Sequence, residues 1–447
     1  MSADESGGVY GVQGHFETFY RDHVRLGMEL KQELANHRDA CLGLLEKGLR
    51  KLGEKRRGPA GYPGYVRKLN QGSYAMHTLN QHRRKQYDID VAVIFKKEDL
   101  PNIALRARQR VAEALRASLN NFATKPIART NAVTVWYTQG EHVDLAVYRE
   151  SRDSKGRPVL EHASAQWRPR DPEAVNAWFE QRNQGQSPVG GHVGPGQFQR
   201  VVRLLKAFAR SRVSWELPGG MILSALASEV YQPDPERDDA AFYKTLVVLQ
   251  ARLKESLEVR SPVAVDESLT SRPQTRAQVG RLLEKLDFVL PQLEVLKSSV
   301  CLEARALSAW DQVFNHPYWK KQAAQARMMA ARESPAPLKF RISHASSMAG
   351  PVTRVYKDKT LVPTGGWLRC SLKKRFEFTA PFRVHWLVRK AGVAASGCDA
   401  PWRSQDGEGK DFWHEAGQSG RYSIICSVIK DGHVVARGVR HVRVSGG

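Results

Sequence analysis

The sequence predicts a mixed α/β core, then a helical region, then a C-terminal all-β sandwich. Three observations carry this. Strands dense in branched residues alternate with helical patterns up to about residue 155. Helical periodicity dominates from about 171 to 330. From Leu338 onward the apolar period switches to two. A chain of 447 residues is too long for one compact core. The expected domains are 1–155, 156–332 and 338–447, joined before the last by the linker Glu333-Ser334-Pro335-Ala336-Pro337.

The N-terminal part begins with an amphipathic pattern over 15–56. Phe16, Phe19, Val24, Leu26, Met28, Leu30 and Leu34 recur at roughly helical spacing, and the Gly58 to Gly64 stretch with Pro59 and Pro63 ends it. Tyr65 to Leu69 reads as a strand, Gly72-Ser73 as a turn opening a short helix to about Asn80, and Asp88 to Phe95 as a buried strand. A helix is expected over 99–119 with Leu105, Val111, Ala112 and Leu115 on one side. A hairpin joins Ala132–Tyr137 to His142–Tyr148 around Thr138-Gln139-Gly140-Glu141. Further on, a glycine-rich loop from Gln184 to Gly196 precedes a clear helix from Phe198 to Phe208. In the last part Val384, Trp386 and Val388, and Tyr422, Ile424, Cys426 and Val428, alternate as core-facing positions, which makes Trp386 a core residue. Asp431-Gly432 marks a hairpin.

Hydrophobic residues make up 41% of the chain, which excludes a disordered protein. The net charge of +23 favours anionic partners such as nucleotides or nucleic acid. Five widely spaced cysteines without a C-x-x-C fit a reducing cytosol. Cys398 and Cys426, with His385 and His414, match no zinc spacing. No run of 18 apolar residues occurs and the N-terminus lacks a signal-peptide pattern, so a cytoplasmic protein without membrane spans is expected.

The chemistry concentrates in acids on apolar strands. Asp88 and Asp90 stand two residues apart and so share one strand face, while Ile89 and Val91 point into a core. Paired carboxylates repel unless a cation neutralises them, and hard oxygen ligands select Mg²⁺ or Mn²⁺. Asp144, alone in the apolar run Val143-Asp144-Leu145, is the candidate third ligand. Three carboxylates can hold two ions, one on a triphosphate and one at an attacking hydroxyl. Gly72-Ser73 supplies close backbone approach and a hydroxyl for phosphate.

This order of features resembles the DNA polymerase β nucleotidyltransferase superfamily, and within it the cGAS/DncV-like enzymes of bacterial antiphage (CBASS) signalling. The residues carrying the resemblance are Gln71-Gly72-Ser73 through Asn80, then Asp88-Ile89-Asp90-Val91, then Val143-Asp144-Leu145. It implies that Asp88, Asp90 and Asp144 are catalytic and hold the metal, and that Gln71, Gly72 and Ser73 bind nucleotide. Val201 to Lys206 is similar to the helix whose lysine binds the donor triphosphate, which gives Lys206 that role. Pro218-Gly219-Gly220-Met221 resembles a loop that usually carries a phosphate-contacting serine, replaced here by Gly219 or Gly220. Residues 338–447 resemble the AGS-C sensor domain fused to some of these enzymes, on His385-Trp386-Leu387-Val388, Ile424 to Val428 and Asp431 to Arg437.

The resemblance implies a synthase that joins nucleoside triphosphates, ATP among them, into a cyclic oligonucleotide second messenger read by a downstream effector. Tyr74, Met76, Trp215 and Tyr231 are unranked candidates for base contacts. The charge permits a nucleic acid or other anionic activator. Some members of this family are conjugated through a C-terminal glycine, here Gly447. The alternatives are a linear, RNA- or protein-directed nucleotidyltransferase, and a non-catalytic nucleic-acid-binding module.

Overall fold

The computed structural model describes the chain except for residues 1–8, 56–61, 82–86, 119–123, 139, 189–195, 265, 299–300, 333–334, 373–381, 391–406, 409–410, 431 and 446–447. The Gly58-Pro59 break, most of the glycine-rich loop before Phe198, Cys398, Asp431 and the terminal Gly447 therefore lie outside the described residues. The chain divides into two compact units, Gln13–Pro291 and Met1–Val12 with Gln292–Gly447.

In the first unit the expected continuous helix over 15–56 is interrupted. Helix α1 (Gln13–Phe19) runs into a π-helical turn ending at Val24, and Arg25 is extended before α2 (Met28–Lys55) begins. The interruption has a tertiary cause. Arg25 forms a β-bridge with Asn80, and the Gln81 amide donates to the carbonyl of Val24 while its side chain donates to those of Asp22 and Arg25.

The sheet that follows comprises β1 (Arg67–Gln71), β2 (Asp88–Lys96), β3 (Ile127–Ala128), β4 (Val133–Trp136), β5 (His142–Arg152), β6 (Pro158–Ala163) and β7 (Trp167–Pro169). Its order is β1-β2-β5-β4-β3, with β6 on the far part of β5 and β7 on β6. Only β2 and β5 run parallel, and they lie at its centre. One face buries Ile89, Val91, Val93, Val143, Leu145 and Val147 with Leu42, Leu45 and Leu49 of α2 and with helix α4 (Ala104–Ser118). Leu105 does not join that face and is exposed, whereas the expected Val111, Ala112 and Leu115 are buried, together with Ala107 and Ala114. The other face carries a smaller cluster of Ala92, Ile94, Ala146, Tyr148 and Leu160. Between β1 and β2, the helix opened by Gly72 is a single turn, α3 (Gly72–Ala75), and not a helix to Asn80. His77, at φ 51°, turns the chain out of it.

The helical part of this unit has α5 (Pro172–Gln186), α6 (Gln197–Ala209), α7 (Gly220–Val230), α8 (Asp238–Glu255) and most of α9 (Pro273–Leu293). Asp171 caps α5 by accepting from the amides of Glu173 and Ala174, with Pro172 at the first helical position. Helix α6 is the central one: Phe198, Val201, Val202, Leu205 and Phe208 are fully buried.

The second unit contains α10 (Glu303–Phe314) and α11 (Pro317–Arg332), followed by two sheets. One is antiparallel, of β9 (Phe340–Ala345), β10 (Val352–Tyr356), β12 (Trp367–Leu372) and β15 (Asp411–Glu415), in the order β10-β9-β12-β15. The other runs β11-β17-β16-β13-β14, from β11 (Thr360–Val362), β13 (Arg383–Lys390), β14 (Gly407–Glu408), β16 (Gly420–Lys430) and β17 (His433–Val444). Both contribute to one core. Phe340, Leu368 and Cys370 of the first sheet meet Val384, Trp386, Ile424 and Cys426 of the second, which makes a sandwich. Part of the expected linker is structured, since Ala336–Pro337 (β8) pairs with Ala436 and Arg437 of β17. The hairpin turn between β16 and β17 places Gly432 at φ 78°, a conformation suited to glycine.

Candidate active site

The two central strands carry the same pattern. Along β2, Asp88 and Asp90 keep partial exposure while Ile89 and Val91 are buried. Along β5, His142 and Asp144 keep partial exposure while Val143 and Leu145 are buried. Parallel pairing places Asp88 beside His142 and Asp90 beside Asp144. Side chains alternate across a strand, so three acids and a histidine share one face above the small-residue layer of Ala92 and Ala146.

Gln71 is the register partner of Asp90 on the other side of β2. Its side-chain oxygen accepts from the Tyr148 hydroxyl at 3.2 Å. Gly72 follows at φ 65°, and a Cβ there would collide with the Asp90 carboxylate. Glycine at 72 is thus required twice, for its backbone conformation and for the approach of the acid. Ser73 sits in the first turn of α3, and its carbonyl accepts from the Thr78 amide at 2.8 Å.

Helix α6 grips the segment after α3. Gln199 Nε2 donates to the Met76 carbonyl at 2.9 Å, and Arg203 Nε and Nη2 donate to that of His77 at 2.9 and 2.7 Å. Lys206 Nζ donates to the Thr78 carbonyl and hydroxyl at 3.1 and 2.8 Å, and Asn80 Nδ2 donates back to the Arg203 carbonyl at 2.8 Å. Gln199, Arg203 and Lys206 are spaced four and three residues apart, which aligns them on one helix face. Lys206 is buried and is not a solvated surface lysine.

Charge is poorly balanced here. Burial first, then the nearby Asp88 and Asp144, push the Asp90 carboxyl up to about 7. Burial first, then Arg210, bring the Lys206 ammonium down to about 7, while Asp88 and Asp90 act in the opposite direction. Asp144 is turned towards protein donors: Thr134 Oγ1 donates to its Oδ1 at 2.6 Å, and His142 Nε2 lies 3.7 Å from its Oδ2.

Among the described residues, no three Asp, Glu, His or Cys side chains are gathered closely enough to hold a metal as they stand. The acids share a face, and Asp144 accepts from the Thr134 hydroxyl there. The donor chemistry nevertheless fits a hard divalent cation: all three candidates are carboxylates, and Asp90, raised first by burial, is raised further by Asp88 and Asp144.

Lys206 and Gly220 border a cavity of about 370 Å³ together with Arg210, Arg212 and Trp215. A Cβ at Gly220 would press on the Lys206 side chain, so glycine there makes room for the lysine. Of the four candidate base contacts, Trp215 borders this cavity. Tyr74 is half-buried beneath Lys31 and Arg38, whereas Met76 and Tyr231 are buried, the latter donating its hydroxyl to Gln197. Sequence reasoning did not single out Thr78, Thr134, His142 or Arg203. His142-x-Asp144 repeats the spacing of Asp88-x-Asp90 on the neighbouring strand, and that signal was available.

A central sheet bearing acids on two adjacent strands, with a Gly-Ser turn at its edge and helices in the same unit, has the fold of a nucleotidyltransferase core. Residues 66–148 match the family model for the nucleotidyltransferase domain of cyclic GMP-AMP synthase DncV-like proteins. Residues 312–445 match that of the adenylyl/guanylyl and SMODS C-terminal sensor domain. The chain thus carries both domains.

Solved structures share the fold at low identity. The Escherichia coli MS115-1 CdnC structure with ATP is 17% identical, with a TM-score of 0.51 over 68% of this chain and 98% of that one. The CD-NTase CdnG of Bradyrhizobium diazoefficiens with GTP is 17% identical, with a TM-score of 0.51 over 71% and 100%. The Vibrio cholerae DncV cyclic AMP-GMP synthase, in complex with the linear intermediate 5′ pppA(3′,5′)pG, is 16% identical, with a TM-score of 0.52 over 69% and 96%.

Proposed function

We propose that the chain joins nucleoside triphosphates into a cyclic oligonucleotide that serves as a second messenger in CBASS-type antiphage defence. The observation that supports this best is the register of Asp90 with Asp144 on parallel central strands, with Gly72 pressed against Asp90 at the sheet edge.

In this reading Asp88, Asp90 and Asp144 hold Mg²⁺ or Mn²⁺. Bound there, the divalent ions neutralise triphosphate charge and lower the pKa of the acceptor hydroxyl. The Ser73 hydroxyl and the Lys206 ammonium bind the donor triphosphate. An anionic phosphate restores the charge that burial disfavours on Lys206. Gln71, tied to Tyr148, holds the strand end from which Gly72 and Ser73 approach the nucleotide. The acceptor 3′-hydroxyl attacks the α-phosphate in line, the bond to the β-phosphate breaks, and diphosphate leaves. Positioning and fixed charge supply most of the acceleration. A second transfer closes the ring, as the linear intermediate bound by the Vibrio cholerae enzyme suggests by analogy.

The reading extends to organisation. The expected boundary at 155 falls before β6 and β7, which continue the acid-bearing sheet to Pro169, so the catalytic core is assigned up to β7, the helical lobe to α5–α9 and the sensor-like sandwich to 338–447. Nucleotides are the substrates, ATP among them; the product acts on a separate effector; and the basic surface admits an anionic activator. A cytoplasmic location completes the proposal. Among the described residues, no helix is long and apolar enough to cross a membrane.

The test is to incubate the protein with labelled ATP, GTP, CTP and UTP and Mg²⁺, then treat with phosphatase. A resistant product, absent with Asp88→Ala/Asp90→Ala, is expected. Phosphatase-sensitive linear chains would reject ring closure and favour a linear transferase.

A further inference from the structure

In the sandwich, the sheet containing β11, β17, β16 and β13 turns one face to the core through Val388, Tyr422, Ile424, Val442 and Val444. Side chains alternate across each strand, so the residues between these form the opposite face. Register sets that face out in rows. Arg443 of β17 stands directly opposite Arg421 of β16, with Leu361 of β11 on its other side. In the next row His441 faces Ser423, and Ser423 faces Arg389 of β13. The row after that is apolar, with Val439, Ile425 and Leu387. Arg437 follows on β17 beyond it. None of these positions carries an acid.

Arg389, Arg421, His441 and Arg443 are exposed, and among the described residues none of these three arginines has an ion-pair partner. Arg369 on the other sheet, by contrast, pairs with Asp411 at 2.8 Å. Asp358, just before β11, accepts from the His441 amide at 2.6 Å, and Ser423 Oγ lies 3.0 Å from His441 Nδ1. Like charges directly opposite one another on paired strands destabilise a sheet, and diagonal neighbours about 7–8 Å apart remain within reach of long side chains. Arg421 and Arg443 are such an opposed pair, and Arg389 is diagonal to Arg421. An anion bridging the three guanidiniums removes their repulsion.

We infer that this face binds a single-stranded nucleic acid, with Arg389, Arg421 and Arg443 on its phosphates and the apolar row against its bases. Guanidinium forks match phosphate oxygens in geometry and charge. A duplex presents its phosphates and keeps its bases stacked inside, which leaves Val439, Ile425 and Leu387 without a counterpart. An unpaired strand offers both surfaces. No aromatic ring stands in these rows, so base contact is aliphatic and tolerant of sequence. None of the residues assigned to catalysis stands on this face, and binding there does not depend on synthesis of any product.

The experiment is fluorescence anisotropy of the full chain with a labelled oligouridylate of about 20 nucleotides, over a range of salt and in EDTA, so that binding is read without turnover. Arg389→Gln/Arg421→Gln/Arg443→Gln is expected to bind at least about tenfold more weakly at about 0.1 M salt. Its slope of log affinity against log salt should be shallower by about 2, from three phosphate contacts at about 0.7 each. Its melting temperature should equal or exceed that of the wild type, because the opposed charges are gone. Should it melt early, Arg421→Gln alone must still weaken binding several-fold. The charge-matched control Lys47→Gln/Arg50→Gln/Arg106→Gln, at exposed positions of α2 and α4, is expected to keep wild-type affinity. Absence of binding by the wild type overturns the proposal. So does binding by the triple arginine variant at wild-type affinity and slope, an equal loss in the control, or tighter binding of a duplex of the same length.

Discussion

The Lys206 ammonium donates to both the carbonyl and the hydroxyl of Thr78, so the buried charge of α6 is anchored on the segment that follows the Gly-Ser turn. Its pKa of about 7 lies far below the ordinary 10.5. Between these values the unfolded chain holds a proton that the folded chain has lost. Lys206 therefore makes stability rise as pH climbs through that window, and its penalty is full below about pH 7. Lys206→Met should raise the stability of the nucleotide-free protein at pH 6 and remove this rise, as read by urea melts from pH 6 to 9. The same variant should lower triphosphate turnover by roughly 10²–10³-fold, since a fixed charge aimed at the transferring group is lost.

Gly72→Ala tests the sheet edge. The new methyl meets the Asp90 carboxylate, and φ 65° is strained for any other residue. Displacing an active-site group by about 1 Å can cost on the order of 10²-fold in rate. Steady-state turnover should fall by at least that much while circular dichroism stays native.

His162 gives an acid-side signature unrelated to catalysis. Burial holds its imidazole down to about 4, and its Nε2 contacts the Asn131 carbonyl at 2.8 Å, beside the Tyr148 ring. Below the ordinary value of 6.5 the unfolded chain takes up a proton that the folded chain refuses. Its contribution to stability is therefore complete above about pH 6.5 and is lost as pH falls towards 4. The shift corresponds to roughly 3 kcal/mol, at about 1.4 kcal/mol per pH unit. His162→Gln should flatten the stability profile between pH 4 and 6.5 in thermal melts.

In the sandwich, Trp386 is fully buried between Phe340 at 5.1 Å, edge-on, and Phe412 at 6.0 Å, stacked. Trp386→Ala should cost about 3–5 kcal/mol of the stability of that unit. An early transition in calorimetry, absent from the wild type, would report it.

The catalytic sheet was legible in the sequence because its two central strands pair an acid with a fully apolar opposite face. Asp88-x-Asp90 and Asp144 needed no tertiary information to be placed on strands. The sandwich was legible for the same reason: Val384, Trp386 and Val388 alternate cleanly. What was hidden depends on contacts distant in sequence. The break at Arg25 is imposed by Asn80 and Gln81, and the fate of Lys206 is decided by Thr78. Leu105 points outward because α4 buries the face of Ala104, Ala107, Val111 and Leu115, from which position 105 is turned away. Asp144 was expected as a free ligand. The β4–β5 hairpin was expected, but Thr134 faces Asp144 only in one register, which the turn residues alone do not fix.

The most direct test is diphosphate release from a ribonucleoside triphosphate mixture in Mg²⁺ or Mn²⁺, comparing wild type with Asp90→Asn and Asp144→Asn. Loss of at least about 10³-fold in each variant, with wild-type release abolished by EDTA, is expected if these acids neutralise the transferring phosphates. Release at the wild-type rate by Asp144→Asn, or by wild type in EDTA, would contradict the account.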